Sequence, residues 1–296
     1  MATTGITLSN TSNLTTGQRI LVANAILANE PSAPNPDLID SKTIPQGHKQ
    51  WDEQVYARLA NASALTEGVD LAQVQQLVTS TLTITPAENG ILVTISKRLI
   101  RRQGDLDVVS GAGKMLGKSL RRLMDADVIT LYDGFSKSIV GATATLDITH
   151  FRGATAYLLT DNNTSFGPAE PPLFAALHIE QISDIILDIT DPGAVVSSRF
   201  GMSAELLQRW WRGSDRLYAV QVFHAGNITR DSGDDAKGAI FARPAAVIVV
   251  ANESEPTVDD DKSLRAIEYG IFQEWATGER ADVWGVEVFS DAASTV

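Results

Sequence analysis

Residues 78–99 decide the fold, and their sequence is VTSTLTITPAENGILVTISKRL. Threonine alternates with apolar residues in the first half, which is the period-two pattern of a half-buried strand rich in β-branched residues. The Asn89-Gly90 pair supplies the positive backbone φ that a tight reversal needs, so a second strand is predicted after it. The apolar positions are Val78, Leu82 and Ile84 before the pair, and Ile91, Val93 and Ile95 after it. This pattern predicts a hairpin with one apolar face and one hydroxylated face.

A long amphipathic helix is predicted directly after this hairpin, over residues 104–135. About thirty residues at 1.5 Å rise give a rod of roughly 45 Å, about three times the length of an average globular helix. Three glycines near its start favour a bend there. The apolar stripe comprises Leu106, Val109, Gly113, Leu116, Leu120, Leu123, Met124, Val128, Leu131 and Phe135, and Lys114, Lys118, Arg121, Arg122 and Asp125 lie off it. From this segment alone, one core helix of an ordinary domain is an equal alternative.

The ordered set of segments resembles the major capsid proteins of tailed double-stranded DNA bacteriophages, which have the Hong Kong 97 shell fold. The resemblance covers most of residues 50–296, is strongest over residues 66–135, and weakens between residues 161 and 235. Its four segments are TEGVDLAQVQQL (66–77), TLTITPAENGILVTISKRLI (81–100), GDLDVVSGAGKMLGKSLRRLMDADVITLYDGF (104–135) and ERADVWGVEVFSDA (279–292).

The resemblance implies an α+β chain of the Hong Kong 97-like phage capsid fold, with an N-terminal arm, an extended E-loop hairpin, a P-domain with a long spine helix, and an A-domain. In that family the E-loop lies over the spine helix and P-domain of the adjacent subunit, a heterologous contact that closes into rings of five or six. The expected divisions are the arm at 1–50, the E-loop hairpin and its base at 51–100, the spine helix at 101–144, the A-domain at 145–250, and an acidic turn with closing P-domain strands at 251–296.

The function implied is that of a structural protein and not an enzyme. It would be a major capsid protein that self-assembles into pentamers and hexamers of an icosahedral head enclosing phage double-stranded DNA. The expected location is the virion capsid, assembled in the host bacterial cytoplasm. The expected partners are copies of the chain itself, a portal, a separate scaffolding protein because only about fifty residues precede the E-loop, and packaged DNA without sequence-specific contact, with a decoration protein as a further candidate. No cofactor and no metal are expected.

Six charged residues are candidates for the subunit interface. Residues 61–76 should be the tip of the E-loop, which places Glu67 and Asp70 where they can meet a neighbour. The basic candidates for their partners are Arg101, Arg102, Arg121 and Arg122. Such exposed pairs contribute register more than energy. The type member of the fold crosslinks an E-loop lysine to a P-domain asparagine, but residues 61–76 contain no lysine, so we expect no isopeptide crosslink.

The remaining elements are predicted from apolar spacing and proline content. Four prolines hold residues 31–45 extended, as suits an arm that crosses onto a neighbour. The predicted helices are 16–29, 146–159, 179–189 and 203–212; the predicted strands are 51–60, 173–177, 264–275 and 283–290, with an exposed acidic turn over 252–262.

Composition limits the classes of function. A hydrophobic content of 44% with 20% charged residues is typical of a globular protein with a core. The net charge of −12 argues against a chain that wraps nucleic acid, because nonspecific DNA affinity rests on basic residues. The absence of cysteine removes disulfides, thiolate metal sites and cysteine nucleophiles. No apolar run is long enough to span a membrane, so no membrane partner is expected.

Motifs for catalysis are incomplete. His178 and Glu180 form an H-x-E pair without the cysteines that a zinc deaminase requires. Gly113-Lys114 lacks the remaining positions of a phosphate-binding loop. Two other functions stay open: an encapsulin-like nanocompartment shell, which uses the same fold, and an uncharacterised monomeric hydrolase or binding domain.

Overall fold

A computed structural model of the chain describes residues 31–62, 64, 67–68, 74–103, 105–161, 166–190 and 216–293. The helices are α1 (Asn35–Leu38), α2 (Lys97–Gln103), α3 (Asp105–Thr130), α4 (Ile148–Leu159) and α5 (Ile179–Thr190). The strands are β1 (Asp40–Thr43), β2 (Trp51–Tyr56), β3 (Thr79–Ile84), β4 (Ala87–Ser96), β5 (Ser138–Val140), β6 (Leu173–Leu177), β7 (Arg216–Leu217), β8 (Val220–His224), β9 (Asp235–Ala242), β10 (Ala246–Asp261), β11 (Ala266–Glu279) and β12 (Gly285–Asp291). The predicted helices 16–29 and 203–212 lie outside the described residues.

The strands form three sheets. A six-stranded sheet in the order β5-β12-β9-β6-β8-β7 is the centre of one core, with α4 and α5 packed on it. A four-stranded sheet in the order β1-β10-β11-β4 packs against α3, and β2 pairs only with β3. Helix α3 and the N-terminal segment, residues 31–44, pack against both larger sheets in a second core cluster. None of the described helices is long and apolar enough to cross a membrane.

Helix α3 has 26 residues, so at 1.5 Å per residue it is about 39 Å long. The predicted stripe is correct for Leu116, Leu120, Met124 and Val128, which are all buried. It is wrong for Leu123, which is exposed. The prediction is also wrong for Asp125, which was placed off the buried stripe but is fully buried. The side chains of Leu106 and Val109 lie outside the described residues.

The predicted pairing of residues 78–99 into one hairpin is wrong. Both strands exist, but β3 pairs antiparallel with β2, and β4 pairs antiparallel with β11. Asn89 and Gly90 lie inside β4, opposite Gln273 and Phe272 of β11. Glycine is needed there for close approach, since a Cβ on Gly90 would lie 2.2 Å from Cδ1 of Phe272.

The predicted acidic turn over residues 252–262 is also a strand. These residues continue β10, which pairs with β11 as far as Asp261 and Ala266. The reversal follows at residues 262–265, where the Asp261 carboxylate accepts hydrogen bonds from the backbone N–H groups of Ser263 and Leu264. The segment is exposed, as expected, but its acids lie on the edge strand β10 of a part of the sheet that β10, β11 and β4 form together.

The predicted elements around β6 are confirmed. Strand β6 has the predicted bounds and is buried throughout, and α4 turns Phe151, Ala154 and Leu158 into the core. Gln181 in α5 is buried, and its amide nitrogen donates to the carbonyl of Ala236 and the hydroxyl of Ser290. The N-terminal segment was predicted to be extended, but it forms the short helix α1 after Pro34 and then β1, which pairs in parallel with β10 of the same chain.

Candidate subunit interface

Strands β2 and β3 form an arm, residues 51–84, that contacts the body at its base and at Arg58, whose Nη1 lies 2.6 Å from Oδ2 of Asp161. We call it the β2–β3 arm. Residues 57–78 connect the two strands, and they include the predicted tip, residues 61–76. The Gln75 side chain bonds the backbone N–H and C=O of Ala60 at 2.8 and 3.2 Å, which joins the two sides of this connection.

Apolar side chains on the β2–β3 arm are exposed in the described part of the chain. Val74 is 92% exposed, and Tyr56, Leu59, Leu77 and Val78 are also exposed. A two-stranded arm has no core of its own, so these groups gain stability only when another surface covers them.

The base of the β2–β3 arm packs on the four-stranded sheet. Ile84 is buried against Val247 and Val249 of β10, with Trp51 and Leu82 beside it. Gly278 of β11 allows this approach, since a Cβ there would lie 2.5 Å from Cδ1 of Ile84. The base is therefore anchored by a small apolar cluster.

Arg280 follows β11 and makes charged contacts at the same base. Its Nη2 lies 3.1 Å from Oε2 of Glu53 in β2, and its Nη1 lies 2.8 Å from Oδ2 of Asp40 in β1. Nη1 also donates to the carbonyl of Pro244 at 3.2 Å. The sequence gives no local sign of this cluster, because Glu53 and Arg280 are 227 residues apart.

The N-terminal segment is fixed by a buried polar cluster around Asp125 of α3. The Asp125 carboxylate accepts a 2.9 Å hydrogen bond from the backbone N–H of Asn35 and a 2.7 Å bond from the side-chain amide of Asn227. The Tyr132 hydroxyl donates to Oδ1 of Asn35 at 2.8 Å. Burial raises the pKa of Asp125, and these hydrogen bonds oppose that rise. The cluster joins three parts of the chain.

The predicted interface residues lie in different surroundings. Arg121 pairs with Asp37 of its own chain, Nη2 to Oδ2, at 2.5 Å. Arg101 donates from Nε to the Lys97 carbonyl of its own helix, and Arg102 and Arg122 are exposed. Glu67 is exposed in the connection of the β2–β3 arm, and Asp70 lies outside the described residues. Their roles between subunits stay predictions.

A cleft of about 560 Å³ lies beside the exposed side of α3. Its lining includes Leu123 and Ala126 of α3, Ile91 of β4, and Pro31. Met115 is exposed on the same helix, so α3 presents apolar groups outward as well as inward. Such a surface can receive an apolar strand or loop.

The H-x-E pair, His178 and Glu180, makes a local hydrogen bond within the fold. Nδ1 of His178 accepts a hydrogen bond from the backbone N–H of Glu180 at 3.2 Å, and burial lowers the pKa of His178. Among the described residues, no group of three or more His, Asp or Glu side chains is arranged to hold a metal ion.

Two carboxyl groups have strongly raised pKa values. Burial, followed by the neighbouring Asp282 carboxylate, raises the pKa of Glu279 from 4.5 to about 7. Burial, with Asp291 and Glu180 nearby, raises the pKa of Asp184 from 3.8 to about 6. The folded chain therefore holds protons near neutrality that the unfolded chain has released.

The Glu279→Gln variant should lose less stability than the parent as the pH rises. The folded pKa of Glu279 lies above its unfolded value of 4.5, so its contribution is complete below about pH 4.5 and is lost as the pH rises through about 7. The variant should therefore gain in melting temperature relative to the parent at pH 8 but not at pH 4. Thermal unfolding across this range measures the difference. Glu255→Gln, at an exposed position of β10, is the matched control, and equal pH profiles for the two variants would contradict the assignment.

No family model and no curated protein sequence matches this chain. Solved structures do match it over nearly its whole length. The capsid structure of Helicobacter pylori bacteriophage KHP30 aligns with a TM-score of 0.70 at 12% identity, covering 98% of this chain and 99% of that chain. The chain has the phage capsid fold. The capsid of Ralstonia phage GP4 gives a TM-score of 0.68 at 11% identity, covering 92% of this chain and 95% of that chain. The capsid of Cyanophage P-SCSP1u gives 0.66 at 13% identity, covering 92% of each.

The phage capsid fold confirms the predicted α+β class and the Hong Kong 97-like architecture. The division of the chain at residues 50, 100, 144 and 250 stays a prediction. Within that fold, the β2–β3 arm occupies the sequence position expected of the E-loop, with strand partners different from those predicted.

Proposed function

We propose that this chain is a major capsid protein, a structural protein that self-assembles into a closed icosahedral shell. The observation that carries the proposal is the end-to-end match to a phage capsid chain, 98% of this chain against 99% of that one. The uncovered apolar groups of the β2–β3 arm support it, since assembly would cover them.

In the proposed assembly, the β2–β3 arm of one subunit lies over α3 of the next. The cleft beside α3, with Leu123 and Met115, supplies an apolar surface for it. The contact joins two different surfaces, so repeating it generates a ring, and pentamers and hexamers of this kind tile an icosahedral head.

Charged residues fix the register of this contact. Glu67 and Asp70 near the tip of the β2–β3 arm face Arg101, Arg102 and Arg122 of the neighbour. Arg121 pairs with Asp37 in its own chain, so it would exchange that partner to take part in the contact. Exposed pairs of this type weaken with salt, so they select a register and add little free energy.

The shell encloses phage double-stranded DNA without sequence-specific contact. A net charge of −12 keeps the chain from binding DNA tightly through nonspecific contacts. Assembly takes place in the host bacterial cytoplasm and the product is the virion capsid. The partners beyond the chain itself are a separate scaffolding protein and a portal, with a decoration protein as a further candidate.

Electron microscopy with sedimentation tests the proposal, using the chain expressed with and without its scaffolding partner. Closed shells, or rings of five and six, are expected. A homogeneous monomer near 31.8 kDa in both samples would overturn the proposal. Shells that contain cargo protein and no genome-length DNA would identify an encapsulin-like compartment instead.

Val78→Asp should reduce the yield of assembled particles at least about tenfold. Val78 is 61% exposed on the β2–β3 arm, so a carboxylate there leaves the monomer intact but must lose its hydration when a neighbour covers it. A loss of about 1.4 kcal/mol in one contact already gives a tenfold change. Particle yield after gradient sedimentation measures the effect, and thermal unfolding checks the fold. Val78→Thr has the same shape and should assemble, so equal yields for the two variants would contradict the prediction.

A further inference from the structure

The β2–β3 arm meets the described body at three points, two of them at its base. The third is the exposed pair of Arg58 and Asp161, 2.6 Å apart beyond the end of β2, and exposed pairs of this kind add little free energy. One of the two points at the base is apolar, where Ile84 of β3 is buried against β10. The other is charged, where Glu53 of β2 meets Arg280.

The apolar contact includes Trp51 of β2, which is paired with Ile84, and Glu53 lies two residues further along β2, opposite Leu82. The apolar contact alone would let the arm pivot, whereas a second, charged contact further along the arm restricts its angle.

The charged contact at Arg280 constrains the orientation of the arm. The Arg280 side chain is only 9% exposed, and its two terminal nitrogens bind carboxylates from different elements. A guanidinium is planar and rigid, so its two terminal nitrogens hold the two carboxylates in fixed directions relative to each other. Apolar contacts lack this directionality. Arg280 therefore contributes orientation that the Ile84 cluster cannot supply.

The two carboxylates have separate tasks. Glu53 is on the β2–β3 arm, whereas Asp40 is in β1 of the N-terminal segment, which β10 already holds by backbone pairing. Loss of Asp40 leaves the Glu53 pair in place. Loss of Glu53 leaves the Asp40 pair in place and removes only the largely buried charged contact at the base of the arm.

We propose that the Arg280–Glu53 pair is the positioning contact that sets the angle of the β2–β3 arm. This inference rests on the proposed function, in which the tip of the arm meets a neighbouring subunit. Six residues of β2 span about 20 Å, so a rotation of about 15° at the base displaces the far end of the strand by about 5 Å, roughly the spacing between paired strands. An arm without the pair would meet its neighbour out of register.

Glu53→Gln and Asp40→Asn are the matched variants for a test. Each removes one negative charge from the same guanidinium, and each keeps the size of the side chain. Arg280 itself is a poorer target, because its removal would leave two carboxylates unpaired and endanger folding. The chain has no cysteine, so two introduced cysteines carry spin labels at defined positions. Val74→Cys on the arm and Lys118→Cys on α3 place both labels at exposed sites.

The distance distribution between the two labels is measured by pulsed electron paramagnetic resonance on the unassembled chain. Glu53→Gln should broaden this distribution at least twofold, and Asp40→Asn should leave it unchanged. An unchanged distribution in Glu53→Gln would overturn the inference, as would equal broadening in both variants. This measurement needs no assembly, so it decides the inference even where the parent chain fails to form shells and the proposed function falls.

The spread of particle diameters is the second measurement. Under scaffolding conditions, Glu53→Gln should give shells with a broader spread of diameters, whereas Asp40→Asn should match the parent. Glu53→Gln shells as uniform as those of the parent would overturn the role of the pair in assembly.

Discussion

Asp125→Ala is expected to lower the free energy of unfolding by about 1.5–4.5 kcal/mol, since a buried donor left without a partner costs about 1–3 kcal/mol and an ordinary lost hydrogen bond about 0.5–1.5 kcal/mol. The two donors are the backbone N–H of Asn35 and the side-chain amide of Asn227. Asn35 and Asp125 are fully buried, whereas Asn227 is partly exposed. The loss should also release the N-terminal segment from α3. Urea unfolding at pH 7 measures the total, and hydrogen exchange of the Asn35 amide measures the release.

Asp133→Ala is the matched control for this prediction. Asp133 is exposed and pairs with Lys237 on the surface, so its removal should cost less than about 1 kcal/mol. A cost for Asp125→Ala no larger than that of the control would show that the buried cluster adds nothing to stability.

The burial of Asp125 could not be predicted from the sequence of helix α3. Spacing of three and four located the helix and four of its buried residues, because that periodicity is a property of the backbone and needs no knowledge of partners. The same reading assigns a carboxylate to solvent by default. Asp125 is buried because Asn35, 90 residues earlier, and Asn227, 102 residues later, bring donors to it. No local pattern records such partners.

The partners of β3 and β4 could not be predicted from local sequence either. Alternation located β3 and β4, but alternation is equally consistent with any partner strand. The Asn89-Gly90 pair suggested that the two strands pair with each other, whereas the long strand β11 offers β4 an uninterrupted register from Ser96 to Ala87. Gly90 is then explained by the ring of Phe272 and not by a turn.

The candidate interface was also predictable only in part. The order of segments predicted that residues 61–76 would be the tip of a projecting arm, and this stays a prediction, although the strands on either side, β2 and β3, do pair with each other. The contacts that hold the arm were not predicted, because Glu53, Asp40 and Arg280 carry no motif and meet only in the folded chain. Sequence order located the β2–β3 arm, and tertiary contacts supplied its geometry.

Gly238→Ala should lower the free energy of unfolding by about 1–3 kcal/mol, the usual range for overpacking a tight core. A Cβ on Gly238 would lie 2.6 Å from the carbonyl oxygen of Ala176 and 2.9 Å from Cδ2 of Leu177. Strand β9 is paired on both sides, with β12 and β6, so its backbone cannot move away without breaking a ladder. The carbonyl belongs to β6 and is equally fixed. Thermal or urea unfolding measures the loss.

Gly153→Ala makes the same chemical change with the opposite expected sign. A Cβ on Gly153 meets nothing within 4 Å, and the residue lies in the middle of α4. Alanine there should stabilise the chain by about 0.5–1 kcal/mol, because glycine loses more backbone entropy in a helix. Both variants add one methyl group, so opposite signs would assign the cost at Gly238 to the carbonyl of Ala176 and not to the loss of glycine. A stabilised Gly238→Ala would mean that β9 and β6 can separate, and the buried sheet would then be less rigid than its pairing implies.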